Sequence, residues 1–593
     1  MRDRRGIKVL ALFLSGVIVL SGCTSKGSLK EQEKKNTENS GSGKVEKADT
    51  GDIDGHKLRD QDVLYQNDEE TSIVTMYLTV SRGNTAENTD HSWDEINTYS
   101  AYDYDDMGVE RYQVAGLLQA GDENGPVSGE VGYGEEVPNA TVQIRGQTSS
   151  RYAMKNYKIE LKKNKGTWRG QRTINLNKHM ADGLRFRNKL AYDLIKEIPQ
   201  MLSLRTQFVH LYVKDSTSQG EQKFEDYGLY TQVEQLNKAG MKAHGLDSNG
   251  QLYKINFFEF YRYEDIIKKK EDPDYDIDKF EDLLEIKGSD DHSKLIEMLG
   301  AVNDSSTPIE EILDKYFDTE NITYWMAYMI LTGNVDTQSR NVYIYSPQNS
   351  SKWYFIAWDN DAAFGNKEEE IKGRTEKGSW ESGISNYWGN VLFQRCLKSD
   401  TFRDELDHTM ADLKEFLSEE RLEEMVKKYA DFVKPYVYQM PDQLYAPLTP
   451  EQYDEVVEEL PHEIEENYAL YLESLEKPMP FFIGLPVIED GRLKIGWDVS
   501  YDFDAEDIKY TVEVAKDYNF QEIIYSQKDI VLPGVELDVP DPGQYFVRIR
   551  SENSSGYVQD AFDYYVIDSG KLFGIKCFYV MEDSTVEEDI YEE

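Results

Sequence analysis

The sequence predicts an α+β fold in two lobes followed by a small all-β sandwich, and three observations carry that expectation. Short alternating apolar runs recur between residues 73 and 233, the periodicity of strands. Long charged and apolar stretches at 305–331 and 396–475 repeat with helical spacing. After Lys477-Pro478-Met479-Pro480 the chain returns to short alternating runs. A strand-rich part followed by a helical part places a cleft between two lobes, where a ligand can lie.

Residues 1–23 read as a targeting segment. Arg2, Arg4, Arg5 and Lys8 form a basic start, and Val9 to Leu20 is apolar but short for a bilayer span. Leu20-Ser21-Gly22-Cys23 resembles a bacterial lipobox, which makes Cys23 the lipidation site of a signal peptide ending at residue 23. The alternatives are an uncleaved anchor or a secretory leader with an incidental Cys. Residues 24–68 are rich in Ser, Gly, Lys, Glu and Asp and read as a disordered tether. Together these place the protein on the outer face of the cytoplasmic membrane, lipid-anchored and extracytoplasmic.

The 593 residues are 39% hydrophobic and 30% charged, an ordinary balance for a folded chain, with a formal net charge of -45. That charge argues against a nucleic-acid partner, whose phosphates it would repel. It favours a basic polypeptide partner, although acidity also simply keeps a surface protein soluble. Of three cysteines, Cys396 and Cys577 are far apart and no Cys-x-x-Cys occurs, so neither a disulfide framework nor a structural zinc site is expected.

Folded structure is expected from the β-branched run Ile73 to Val80. The acidic, aromatic stretch 90–135 reads as hairpins and loops. Thr141 to Ile144 and Tyr157 to Leu161 read as strands around the turn Arg145-Gly146-Gln147-Thr148-Ser149-Ser150. Leu184 to Ile198 reads as a helix with Leu184, Leu190, Ala191, Leu194 and Ile198 on its apolar face. Phe208 to Val213 and Gly228 to Val233 are further strands. In the last part, Trp497 on an early strand and the later Gly543-x-Tyr545-x-Val547-x-Ile549 look like a fibronectin type III sandwich over 479–567. Such a sandwich is expected to fold alone and to be dispensable for chemistry elsewhere. Residues 568–593 read as a loose acidic tail.

The chemistry-bearing stretch is Gly333-Asn334-Val335-Asp336-Thr337-Gln338-Ser339-Arg340-Asn341, with Trp358-Asp359-Asn360-Asp361 shortly after. Val342 to Tyr345 and Trp353 to Trp358 read as two strands joined by the turn-prone 346–350, a hairpin that brings Asp359 back beside Asn341. An Asp followed five residues on by an Asn, then an Asp on the next hairpin, is the order a protein kinase uses. There one Asp takes the acceptor proton, the Asn binds magnesium, and the second Asp binds magnesium bridging the phosphates of ATP. Either half alone is as well explained by a solvated acidic loop; the joint pattern resembles the spore-coat CotH kinase family. Upstream, Arg145-Gly146-x-x-Ser149, Lys155-Asn156-Tyr157, Arg187-Asn188-Lys189-Leu190 and Gly228-x-Tyr230-x-x-x-Glu234-Gln235 are similar to that family's motifs, so the likeness spans about 70–400. Two departures stand out: there is no Gly-x-Gly-x-x-Gly, and Asn334-Val335-Asp336 replaces His-Arg-Asp.

The resemblance implies an atypical, bilobal protein-kinase-like domain over 69–478 that uses ATP with Mg2+ or Mn2+. On it Asp336 is the catalytic base, Asn341 and Asp359 are metal ligands, and Asp361 either holds a second ion or bonds the loop. Lys155 is the first candidate for the phosphate-binding lysine and Lys158 the second, since alternation puts the two on opposite faces. Arg145, Gly146 and Ser149 would line the phosphates through turn amides, although a plain hairpin turn explains them nearly as well. Glu234 would stand near adenine. The expected acceptor is a hydroxyl of a protein substrate, basic and Ser/Thr-rich. Two rivals remain: a nonenzymatic surface scaffold or adhesin, and a small-molecule or sugar phosphotransferase.

Overall fold

Eight strands between residues 73 and 234 form one sheet that closes on itself. They are β1 (Ile73–Ser81), β2 (Val114–Asp122), β3 (Gly125–Pro126), β4 (Ala140–Arg145), β5 (Asn156–Leu161), β6 (Thr173–Asn177), β7 (Thr206–Asp215) and β8 (Glu225–Glu234). Their order is β1-β7-β8-β6-β5-β4-β2-β3, and β1 also pairs with β2, so seven strands complete a ring. Closure leaves those seven without a free edge. The β1–β7 pairing is parallel and the other pairings of this sheet are antiparallel. Met76, Leu78, Leu118, Val142, Ile144, Tyr157, Ile159 and Leu176 fill one apolar core. The computed structural model describes residues 58–589 apart from 59, 67–69, 221, 375–376 and 568–569; Cys23 and nearly all of the expected tether lie outside the described residues.

The stretch 90–135 contains one expected hairpin, β2 with β3, but departs from the expected hairpins and loops at its start. It opens with two helices, Trp93–Thr98 and Ala101–Met107. Each is started by a capping box: Ser92 with Glu95, and Ser100 with Asp103. The reciprocal side-chain bonds satisfy amides that a short helix otherwise leaves bare. Both boxes are legible in the sequence and outweigh its loop-like composition.

The helix expected over 184–198 runs Arg187–Ile195 and is buried along its length. Further on, β9 (Gln251–Ile255), β10 (Leu284–Ile286), β11 (Val342–Ser346) and β12 (Tyr354–Ala357) make a four-stranded sheet in the order β10-β9-β11-β12. The helix Thr319–Leu331 packs on β12, Asp400–Phe416 and Glu463–Glu476 pack on that helix, and Glu419–Val437 packs against β8. The chain is therefore α+β, with both expected helical stretches present. No helix among the described residues is long and apolar enough to cross a membrane.

The C-terminal region is all β. One sheet has the order β13 (Val487–Glu489), β14 (Arg492–Gly496), β17 (Gly534–Asp538). The other has the order β16 (Ile523–Ile530), β15 (Lys509–Ala515), β18 (Gly543–Glu552), β22 (Ile575–Val580), β23 (Val586–Glu588). Between β18 and β22 come β19 (Val558–Asp560), β20 (Tyr564–Ile567) and β21 (Gly570–Phe573). The two sheets share a core of Leu493, Ile495, Val512, Val514, Val547, Ile549 and Phe578.

The loose tail expected from 568 is corrected by these strands. Residues 575–580 pair along β18 from Gly543↔Val580 to Arg548↔Ile575 and bury Phe578 and Val580. The net acidity of the last residues masked an apolar strand ahead of them. Cys396 and Cys577 are both buried free thiols.

Candidate active site

The helix Thr319–Leu331 ends where the first carboxylate is needed. Gly333 takes a positive φ of 66°. Its amide donates to Ile330 O and that of Asn334 to Met329 O, the paired bonds of a glycine-terminated helix. A Cβ at Gly333 would also meet the Asn467 amide at 2.9 Å. The chain is thus thrown into the short turn Val335–Thr337, which presents Asp336 half-buried.

Two neighbours fix the Asp336 carboxylate. Arg340 donates from Nε to Oδ1 at 2.7 Å and also from Nη2. Asn341 donates from Nδ2 to Oδ2 at 3.1 Å. Burial raises the Asp336 pKa above the usual carboxylate range; Arg340 opposes the rise and Asp361 adds to it.

The expected hairpin forms, with Val342 opposite Ala357 and Tyr345 opposite Tyr354. That register returns Trp358 and Asp359 alongside Arg340 and Asn341. Asn341 and Asp359 flank it with φ of 56° and 57°, a conformation that Asn and Asp tolerate better than most residues. Backbone outliers of this kind gather at working sites.

Asp359 and Asp361 share the turn that follows. Burial, and next the Asp361 charge, push Asp359 up to about 6, with Arg145, His179 and Lys254 working against the shift. Asp361 reaches solvent but lies deep among protein walls. Burial opposes its charge, yet the His179 ring, 3.5 Å away, helps hold its carboxyl below the usual range. The pair behaves as one acidic site.

The Arg187–Ile195 helix supports this turn. Asn188 Oδ1 accepts from Asn360 N at 3.2 Å, Tyr192 OH accepts from Asp359 N at 3.3 Å, and Arg187 Nε donates to Phe364 O at 2.7 Å. The Arg-Asn-Lys-Leu motif therefore acts as a scaffold for the acidic turn. Asn334 in turn donates to Asn360 Oδ1 at 3.4 Å, tying the Asp336 loop to the same turn.

Cations face the carboxylates from two directions. Arg145, at the end of β4, lies 6.0 Å from the Trp358 ring and bears electrostatically on Asp359 and Asp361. Lys254, on β9 opposite Tyr343, bears on Asp359 and Glu285. By register Lys158 shares Arg145's sheet face, since Arg145 pairs with Asn156 and Gln143 with Lys158. Its ammonium meets Glu160 at 3.3 Å.

Lys155, the first choice from the sequence, is not brought to this cluster. It is buried on the opposite face, donates to Ser150 O at 2.6 Å, and its nearby charge is Asp103. Gly146 has a φ of 86°, and a Cβ there would lie 2.1 Å from Ser149 Oγ, which accepts from Asn156 Nδ2 at 3.0 Å. Gly146 and Ser149 thus shape a tight loop beside Arg145. Glu234 is otherwise engaged: Arg205 Nη2 at 2.6 Å and His244 Nε2 at 2.9 Å enclose it. Sequence reading missed Arg340, Lys254, His179 and Tyr192. Arg340 alone had a signal, its i,i+4 spacing from Asp336.

Among the described residues, no group of three His, Cys, Asp or Glu side chains is arranged to hold a metal by itself. Asn341, Asp359 and Asp361 still suit magnesium, which takes one or two carboxylates and completes its shell with phosphate and water. The raised Asp359 carboxyl marks a place where a cation would relieve repulsion.

Residues 142–471 match the family described as CotH kinase protein, more than half of the chain. The chain is also similar to inner spore coat protein H of Bacillus subtilis (strain 168). The two are 22% identical over 306 residues, which cover 51% of this chain and 78% of that protein.

Proposed function

The chain belongs to the CotH kinase family, and on that premise we propose that it transfers the γ-phosphoryl group of ATP to a protein hydroxyl. The observation that carries this is the convergence of Asp336, Asn341, Asp359 and Asp361 at the open end of one hairpin, with Arg145 and Lys254 beside them. In this reading the closed strand region and the helical region are two lobes, and ATP lies between them.

Asp336 orients the acceptor hydroxyl and takes its proton on Oδ1 or Oδ2 as the oxygen bonds to phosphorus and the bond to ADP breaks. Arg340 and Asn341 hold that carboxylate in place. Arg145, Lys254 and Lys158 offer positive charge to the phosphates. Asn341, Asp359 and Asp361 would hold Mg2+ or Mn2+, which supplies charge neutralisation of the phosphates. Most of the rate then comes from positioning and electrostatics.

The wider reading is a lipoprotein anchored through Cys23 outside the cytoplasmic membrane, acting on a basic, Ser/Thr-rich polypeptide. Its C-terminal region is read as fibronectin type III-like. The sheet orders support that, as does Tyr545, near the start of β18, whose OH donates to Asp541 O at 2.7 Å in the manner of a tyrosine corner.

Calorimetry with a nonhydrolysable ATP analogue, with and without Mg2+ or Mn2+, tests the reading, followed by mass spectrometry of acceptors after incubation with ATP. Metal-dependent nucleotide binding and a mass gain of one phosphate are expected. A chain that binds no nucleotide with either metal is a scaffold. Phosphate found on a sugar or small molecule instead would move the assignment to that class.

A further inference from the structure

The Asp336 loop is held from below by a segment that is itself seated on the C-terminal β region. Asn386 Nδ2 donates to Val335 O at 2.9 Å, and Asn390 Nδ2 to Gln338 O at 2.9 Å. Thr337 Oγ1 and Tyr387 OH lie 3.1 Å apart. The loop's backbone position is therefore set by residues 386–390.

That segment leans on the C-terminal β region through aromatic packing, mostly against its loops. Trp388 meets Tyr501 at 5.4 Å and Phe503 at 5.8 Å. A Cβ at Gly389 would stand 3.6 Å from the Phe562 ring. Just upstream, Trp380 packs edge-on against Phe562 at 5.2 Å and Phe573 at 5.9 Å. Ser379 Oγ accepts from Gln559 Nε2 at 2.7 Å and from Asp560 N at 3.0 Å. Gly378 leaves room for this approach, since a Cβ would lie 2.9 Å from Phe573.

The same segment reaches the reaction centre. Glu381 lines a cavity of about 210 Å3 with Gly333, Asn334, Val335, Lys377 and Asn386. Burial raises the Glu381 carboxyl, and the Asp336 charge adds to the rise. The cavity thus borders Gly333, Asn334 and Val335, the start of the loop that carries the proton acceptor.

We infer that the C-terminal β region is a positioning element of the reaction centre: through residues 377–390 it sets the Asp336 loop and so the place where the acceptor hydroxyl meets the Asp336 carboxylate. The inference rests on the phosphotransfer reading for the word acceptor, and on geometry alone for the brace. It reverses the expectation that this region is dispensable for chemistry. Four aromatic pairs and two hydrogen bonds hold the junction together.

Two full-length variants test it, Phe562→Ala on the β side and the milder Ser379→Ala on the loop side. Amide exchange at 334–341 is expected to quicken at least about tenfold in Phe562→Ala and about threefold in Ser379→Ala. Nucleotide affinity, set by the other side of the site, should stay within about twofold. Acceptor turnover should fall about tenfold or more in Phe562→Ala, with KM for ATP unchanged. Unchanged exchange at 334–341 in both variants overturns the inference, as does full turnover despite quickened exchange. If Phe562→Ala fails to fold, Ser379→Ala decides by the same readouts. A wild-type chain that binds no nucleotide removes the phosphotransfer reading, while the exchange data still judge the brace.

Discussion

Two carboxylate sites in this molecule meet the same penalty and resolve it in opposite ways. Burial alone would raise both Glu234 and Asp359. At Glu234, His244 and Arg205 close around the carboxylate, and its pKa falls to about 2. His244 rises to about 9 despite its burial, through Glu234 and then Asp60, which lies 2.5 Å from Nδ1. At Asp359 burial and a second carboxylate win, and the pKa rises to about 6. The first site has supplied its own cations and is electrostatically satisfied. The second is short of positive charge, the condition under which the proposed metal would relieve the repulsion.

The contrast breaks most visibly at the second site. Asp359→Ala is expected to abolish metal-dependent nucleotide binding in calorimetry. Asp336→Ala should leave that binding within a few-fold while transfer falls about 10²- to 10⁴-fold. If both variants transfer phosphate normally, the residue assignment is wrong.

At the first site the effect should appear in stability. His244→Ala leaves Glu234 buried with one cation fewer, and a loss of about 3–5 kcal/mol is expected by denaturant unfolding at pH 6. Because the folded pKa of His244 is raised, its contribution is full below about 6.5 and disappears as pH rises through about 9. Glu234, lowered to about 2, contributes above about 4.5 and loses that contribution as pH falls toward 2. The His244→Ala penalty should therefore shrink by pH 9.5; a penalty that stays constant to that pH would mean the ion pair is not its source.

Arg340→Ala sharpens the comparison within the active site. Arg340 is the chief force holding the Asp336 pKa down. Its loss should lower transfer about 10- to 100-fold and move the acid limb of the pH–rate profile to higher pH. An unmoved limb would separate Asp336 from the proton transfer.

The smallest expected effect has the opposite sign. Asp359 carries a raised pKa, so its burden on the fold is absent below about 3.8 and grows as pH rises through about 6. Asp359→Asn should thus stabilise the metal-free chain by about 1–3 kcal/mol at pH 7.5, with the gain vanishing near pH 4. Equal stabilities at both pH values would remove the repulsion argument.

The parts legible in the sequence were those set by local rules. Strand alternation marked β4, β5, β7 and β8, and the turn at 346–350 fixed a hairpin whose register places Asp359 beside Asn341. What escaped depended on partners distant in sequence. Lys155 and Lys158 differ by which sheet face meets Trp358, a fact of tertiary closure. Glu234 looked like a ligand residue until His244 and Asp60 arrived from elsewhere. Strand β22 was hidden because acidity near 582–589 dominated the reading of the whole stretch.

The parallel pairing of β1 with β7 has a consequence in time. Ile73 meets Phe208, and the strands β2 to β6 lie between them along the chain. A ring completed by its first and seventh strands must search a long loop before the seam zips. Until then β1 presents one unpaired edge made of Ile73, Val74, Met76, Tyr77, Leu78 and Val80, able to recruit a wrong strand. Seam formation is accordingly expected to be the slow step in folding, and its rate should govern how much newly made chain is lost to aggregation.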